Sequence, residues 1–305
     1  MVPGRVVVVG QVARDLALRI DGLPEPASSA PVRERLEVLG GRGANQAVAL
    51  AQLGAAPVLV GVVGDDGAAA DVLDRAHRDG IDVSTVVRRP GTPTGLIVDV
   101  VDAAGERRSL EDLPVAVQLT PADVAAAGGE LAAAETVVLQ LQQPLDAVLA
   151  AADLARDGGA TVLLDGAPPH PSARGPLLER ADVLHADERE AALWVDGGPT
   201  GSAADVLRTA EWLRRHGPRI VVLGAGAAGN VVSGPDGVAV LPLCAVDVVD
   251  PTGADDAFVA AFVRTLEHGP LEAARWATAA AAATVGHLGG RPDLGFDLLE
   301  RLLGT

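Results

Sequence analysis

The chain has 305 residues, 49% of them hydrophobic, and a formal net charge of −17. That apolar fraction is ample for a packed core, and the acidic balance excludes a nucleic-acid binder, which needs a basic surface against phosphates. All 24 basic residues are arginine, which excludes P-loop NTPases, protein kinases and Schiff-base enzymes, each of which needs a lysine amine.

In chain order, short valine-rich runs alternate with alanine- and leucine-rich segments of helical length. The first run, Arg5–Gly10, is too short and too quickly broken by glycine for a signal peptide or a membrane span, so no membrane contact is expected. The runs Arg5–Gly10, Pro57–Gly64, Thr136–Leu141, Thr161–Asp165, Ala181–His185 and Arg219–Leu223 read as strands. They are continuously apolar, the pattern of a parallel sheet covered on both faces. Helices are predicted over Ala44–Leu53, Ala68–Asp79, Pro121–Ala127, Leu145–Ala155 and Ser202–Arg215. Thr120, with Pro121 behind it and Asp123 at the third position, has the form of a capping box. This βαβα order implies an α/β fold: a doubly wound, mostly parallel sheet with helices on both faces.

Two stretches break the rhythm. Residues 12–38 and 92–112 alternate apolar and polar side chains around turn signals at Asp21-Gly22 and Ala104-Gly105. They are expected to form half-exposed antiparallel strands, a small β-sheet lid inserted in one domain spanning residues 1–305, with a dimer contact as its second use. Cys244 is the only cysteine, so no internal disulfide forms and a cytoplasmic setting is expected. With 2% aromatics and no tyrosine, the core must be built from Ala, Val and Leu. The three tryptophans fall in helical patterns and are read as packing, and the six histidines are read as incidental.

Three glycine motifs bear on function. Gly224–Gly229 ("GAGAAG") fits the dinucleotide fingerprint, but it runs into a strand–turn–strand pattern where that fingerprint needs a helix. A nicotinamide enzyme is therefore disfavoured, and Gly224, Gly226 and Gly229 are left as a loop whose backbone can approach a nucleotide. The segment "GGRGANQAVALAQLG" (Gly40–Gly54) leads into a helix with Asn45 in its first turn, either a plain capped turn or a polar-ligand site. In "DPTGADD" (Asp250–Asp256), Gly253 and Ala254 precede an apolar helix, so backbone N–H groups there make an anion site. An aspartate one step in can accept a hydroxyl proton as the hydroxyl attacks a phosphate.

Taken together, "GQVARDL", "GGRGANQAVALAQLGA", "VGDDGAAADVL" and "DPTGADDAFVAAF" resemble the ribokinase-like carbohydrate kinases, the phosphofructokinase-B family, in order and along nearly the whole chain. The resemblance implies transfer of the γ-phosphate of ATP to a hydroxyl of a small sugar, sugar derivative or nucleoside, with Mg²⁺ and, as a further candidate, K⁺. Carried over residue by residue, it makes Asp256 the base and Gly253, Ala254 and Asp255 the anion hole. Asp15, Gly41, Arg42 and Asn45 would contact the acceptor, while Gly224, Gly226, Gly229 and Thr278 would lie at the nucleotide. Asp187 and Glu190 would support Mg²⁺ through water, and Asp250 would hold a monovalent cation.

Departures from the family pattern cluster at these positions. Asp255 stands where the signature has glycine, and Ala13 and Asp187 stand where it has asparagine. Asp165-Gly166-Ala167-Pro168 replaces an Asn-Pro-Ala-Pro pattern, and Thr278 replaces an adenine-side asparagine. Two readings follow: an active kinase, or a catalytically weak paralogue that binds a sugar or nucleotide.

Overall fold

In the computed structural model, residues 4–198 and 202–304 are described. From the amino end they form β1 (Val6–Val9), β2 (Ala13–Ile20), β3 (Val32–Gly40), α1 (Arg42–Gln52), β4 (Val58–Val60), β5 (Val62–Val63), α2 (Gly67–Arg78) and β6 (Val87–Arg88). Next come β7 (Leu96–Val101), β8 (Arg107–Asp112), α3 (Pro121–Ala126), α4 (Gly128–Ala132), β9 (Thr136–Gln140), α5 (Leu145–Asp157), β10 (Thr161–Asp165) and α6 (Arg174–Leu178). The chain continues through β11 (Val183–Ala186), α7 (Glu188–Trp194), α8 (Ala203–Arg214), β12 (Ile220–Gly224), β13 (Asn230–Gly234) and β14 (Gly237–Leu241). It closes with α9 (Ala254–Thr265), α10 (Pro270–Val285) and α11 (Phe296–Leu303).

The central sheet runs β14-β13-β12-β11-β10-β9-β1-β4 and is parallel from β12 to β4. The hairpin expected after Gly229 supplies its antiparallel edge, β13 and β14. Alternate strand residues serve two cores, as the two-residue period of a strand requires. Val7 and Val9 of β1 face the layer that contains α3 to α8, whereas Val6 and Val8 face α1, α2, α9, α10 and α11. With so few aromatics, small side chains set the helix spacing: Ala273, Ala274, Ala277 and Ala280 of α10 are all buried in the second core. Trp194 is an exception, fully buried in the first core, with its Nε1–H donating to Gly166 O at 2.9 Å. Thr120 caps α3 in the capping box its spacing predicts.

The two alternating stretches do form a separate four-stranded sheet, ordered β3-β2-β7-β8. Its pairing corrects the expectation. The hairpin-linked pairs β2–β3 and β7–β8 are antiparallel, but β2 and β7 run parallel, because the chain returns to this sheet only after α1, α2 and the strands between. A second correction concerns Pro57–Gly64, read as one strand. Only β4 pairs with β1, which ends at Val9; beyond it the Gly61 carbonyl accepts Val87 N, and β5 pairs with β6 instead. The turn at Asp102–Gly105 closes as expected, the Asp102 carboxylate accepting Ala104 N and Glu106 N. Among the described residues no helix is long and apolar enough to cross a membrane.

Candidate active site

At the carboxyl end of the central sheet, three neighbouring strands end in buried polar residues. Gln140 (β9), Asp165 (β10) and His185 (β11) are all buried, and Asp165 pairs in register with the other two. His185 Nδ1 lies 2.7 Å from Asp165 Oδ1, and its ring stacks on Phe258 of α9. His185 thus forms a buried pair with Asp165 and is not the incidental histidine that the sequence suggested. Burial opposes ionisation of both, but each holds the other charged: Asp165 lies below the usual carboxylate range, helped by Arg42, and His185 above the usual imidazole range.

The turn into α1 brings the next layer. Gly41 caps the helix at φ 84°, and a Cβ there would lie 2.8 Å from Gln11 O, so glycine is required by both conformation and space. Arg42, Asn45 and Gln46 follow at helical i, i+3 and i+4 spacing and project on one face. Arg42 Nη2 donates to Asp165 Oδ2 at 3.0 Å and Nη1 to Glu190 Oε1 at 2.7 Å, while Nε stands 3.6 Å from Asp256 Oδ1. Burial works against the Arg42 charge, but Asp165, Asp256 and Glu190 outweigh it. Gln46 Nε2 donates to Asp165 Oδ2 at 2.6 Å.

The third layer is the start of α9. Gly253 caps it in the left-handed region, φ 74°, and no side chain bonds the helix amino end, where Ala254 N makes only a long bond to Pro251 O at 3.4 Å. Asp256, in the first turn, is 4% exposed and accepts Asn45 Nδ2 at 3.2 Å. Burial raises its carboxyl to about 7; Arg42 opposes the shift, and Asp165 and Asp255 add to it. Asp255 is the open member of the pair: its side chain is exposed at the cleft and has no hydrogen bond among the described residues. The cleft wall still raises its carboxyl, against the pull of His185 and Arg42.

Arg42, Asn45, Glu190, Asp255 and Asp256 line a cavity of about 270 Å³, while Asp165 and Gln46 support Arg42 and Asp256 from outside its lining. The four-stranded sheet roofs it with Asp15 and Ile97, and with Asp99, which pairs with Arg107 at 2.8 Å. Asp15 accepts Gly41 N at 3.2 Å, and burial raises its carboxyl to about 7 against the opposing charge of Arg291. A larger cavity of about 640 Å³ lies at the opposite end of the sheet, bordering Gly4 next to the undescribed amino terminus, and holds none of the expected residues.

The cavity therefore gathers Asp15, Gly41, Arg42, Asn45, Asp187, Glu190, Gly253, Ala254, Asp255 and Asp256. Five expected positions lie outside it. Gly224, Gly226 and Gly229 form the β12–β13 turn, and Gly226 packs beneath Glu188. Thr278 is buried in α10, where its hydroxyl donates to Ala274 O and accepts Asn230 Nδ2. Asp250 is fully buried: Oδ1 accepts Thr252 N and Oγ1, and Oδ2 accepts Gly289 N at 2.7 Å, pinning one loop to another. Asp187 and Glu190 form their own capping box at α7, and Arg42 takes the remaining Glu190 oxygen. Sequence reasoning missed Gln46 and Arg291; the i, i+4 relation to Arg42 could have found the first, whereas nothing in "GGRP" marks the second.

The pfkB family carbohydrate kinase profile matches residues 4–294. The chain belongs to that family. It is 28% identical over 264 residues to a bifunctional ribokinase/ribose-5-phosphate isomerase A from Fructilactobacillus sanfranciscensis, covering 86% of this chain but only 48% of that protein. It thus spans about half the length of that relative. It is 33% identical to an ATP-dependent ribose-1-phosphate kinase from Halopiger xanaduensis, over 94% of each chain. The structure of Arabidopsis thaliana ribokinase complexed with ribose and ATP superposes with a TM-score of 0.79 at 25% identity, covering 100% of both chains.

Proposed function

We propose that this family member is an ATP-dependent kinase acting on a hydroxyl of a small sugar, with a pentose or pentose derivative as the leading acceptor. The observation that supports this best is the placement of Asp256 in the first turn of α9, behind the amino end at Gly253-Ala254 that no side chain caps, in one cavity with Asp15. Asp256, oriented by Asn45, takes the acceptor proton; the amide cradle and Arg42 meet the charge of the transferring phosphoryl group. Asp15 and Asn45 offer hydroxyl partners, and the four-stranded sheet excludes water. A Cβ on Gly105, at its tip, would lie 3.5 Å from Val248 O in the approach to α9, so the tip already meets the facing loop.

Seven carboxylates line the cavity against two guanidiniums, Arg42 and Arg107. Such an oxygen donor set suits Mg²⁺, which binds through one or two carboxylates plus the phosphates of its nucleotide. Asp187, Asp255 and, through water, Glu190 are the groups that would hold it; once bound, the ion would neutralise phosphate charge. No cluster among the described residues grips a metal unaided, in keeping with an ion that arrives with ATP. A monovalent cation such as K⁺ at Asp250 would act on the cradle by way of the loop that Asp250 pins.

The test is a panel of ribose, deoxyribose, ribose 1-phosphate and nucleosides with ATP and Mg²⁺, read as ADP release. Turnover with one acceptor that vanishes in Asp256→Asn supports the reading; no Asp256-dependent turnover on the panel overturns it. Asp255 favours a second reading, a weak paralogue that binds ligand without turnover, for which thermal stabilisation without ADP release is the signature.

Two proposals concern the surroundings. Leu16, Val98 and Leu110 stand in register on the outer face of the four-stranded sheet, and Leu110 is 67% exposed, which favours a homodimer through that face. Leu110→Glu giving a monomer in light scattering would support it. The lone Cys244 and the lack of a membrane-crossing helix among the described residues favour a cytoplasmic location, checked by fractionation.

A further inference from the structure

Arg291 sits where three parts of the site meet, and nothing above gives it a role. Its Nη2 donates to Asn45 Oδ1 at 3.3 Å, while Asn45 Nδ2 donates to Asp256 Oδ2 at 3.2 Å. A guanidinium can only donate, so the Asn45 oxygen must face Arg291 and its NH₂ must face the base. The Arg291 charge also acts on Asp15, the buried carboxylate at the acceptor side. The loop that carries Arg291 is fixed at two further points: Gly289 N donates to Asp250 Oδ2, and Gly290 packs directly on Thr252 and Gly253. One short loop thus touches the anion cradle, the orienter of the base and the acceptor carboxylate.

We propose that Arg291 is a positioning residue that locks Asn45 in the orientation donating to Asp256 and sets its charge opposite Asp15 on the acceptor side. The inference rests on the kinase reading for its consequence, but not for its geometry. The groups facing Asp15 are Asp99 and Arg107 from the four-stranded sheet, Arg291 from its loop and the Gly41 amide from α1. Those facing Asp256 are Arg42, Asn45 and Gln46 from α1, Asp165 from β10, Asp255 from α9, and Arg291. Arg291 itself is shared with Asp79 and Arg75 from α2, and its Nε has no hydrogen-bond partner, so its charge is spent on these carboxylates at a distance as much as in contact. Burial lowers its own pKa, which Asp15 opposes first.

Removing the charge withdraws a pull that lowers the Asp15 carboxyl, so Asp15 should titrate higher. The experiment compares wild type with Arg291→Met, Arg291→Gln and Arg291→Lys in the full chain, beginning with a ¹³C carboxyl NMR titration that needs no turnover. Asp15→Asn assigns the signal. Arg291→Met and Arg291→Gln are expected to move Asp15 up, because glutamine restores a donor but no charge. Arg291→Lys is expected to return Asp15 toward wild type. On an acceptor that the enzyme turns over at pH 7, Arg291→Met should raise KM about tenfold through protonated Asp15, and Arg291→Gln should retain more kcat than Arg291→Met by holding Asn45. Unchanged titrations in folded Arg291→Gln, or no difference between Arg291→Gln and Arg291→Lys, overturn the proposal; that pair carries the test even if Arg291→Met does not fold. If no acceptor is turned over by wild type, the kinase reading falls, while the titrations still decide what Arg291 does.

Discussion

On the acceptor side of the cleft, Asp15, Arg42, Asn45 and Asp256 are each tied by a hydrogen bond or ion pair to a neighbour fixed by the fold. On the proposed donor side there is mainly backbone, the amino end of α9 that no side chain caps, with Asp255 exposed beside it. The first region is ordered before any ligand arrives, which keeps reorganisation out of the chemical step. On the proposed reading the second would be completed by the nucleotide and its ion, and an additional acid stands there without disturbing the packing.

The sharpest way to break this contrast is Asp256→Asn, which removes the proposed base. It should lower kcat by about 10²–10⁴-fold with the fold intact by circular dichroism. The reverse change on the donor side, Asp255→Gly, should raise kcat/KM for ATP. A carboxylate about 4 Å from a phosphate opposes it by about 1 kcal/mol in water and about 4 at an effective dielectric of 20, so the gain is roughly tenfold to a thousandfold. No gain would mean that the bound ion absorbs that charge, to be checked by the Mg²⁺ dependence of KM for ATP.

Acidity separates the halves next. Asp256 must be ionised to act, so turnover should fall about tenfold per pH unit below about 7. Stability runs the other way. With a folded pKa near 7 against an ordinary 3.8, the stabilising contribution of protonated Asp256 is full below pH 4 and is lost as pH rises through 7. The melting temperature should therefore drop between pH 5 and 8, and Asp256→Asn should flatten that slope. The smallest effect belongs to Thr278→Val, expected within about twofold in KM for ATP, since its hydroxyl already serves Ala274 O and Asn230.

Most of the sheet was legible in the sequence because its strands are buried on both faces and read as continuous valine runs. Thr161–Asp165 matches β10 to the residue. The turn into α9 was legible too, because Gly253, Ala254 and the two aspartates lie within four positions. What was not legible depends on contacts between distant segments. The parallel β2–β7 pairing is a property of the crossover, and neither strand's pattern encodes it. Asp165, His185 and Arg42 become one network only when β10, β11 and α1 end at the same edge. Arg291 reaches Asn45 across 246 positions of chain.

The Trp194 bond to the Gly166 carbonyl has an optical consequence. The chain has three tryptophans and no tyrosine, so its near-ultraviolet emission comes from indoles alone. Trp212 is 40% exposed and stacks on His216, which should make it red-shifted and readily quenched, whereas Trp194 lies in the dry interior. Its hydrogen-bond acceptor is the residue after Asp165, the partner of Arg42. Any ligand that shifts that strand end should therefore change the blue edge of the emission, so the unlabelled protein carries its own fluorescent gauge of site occupancy.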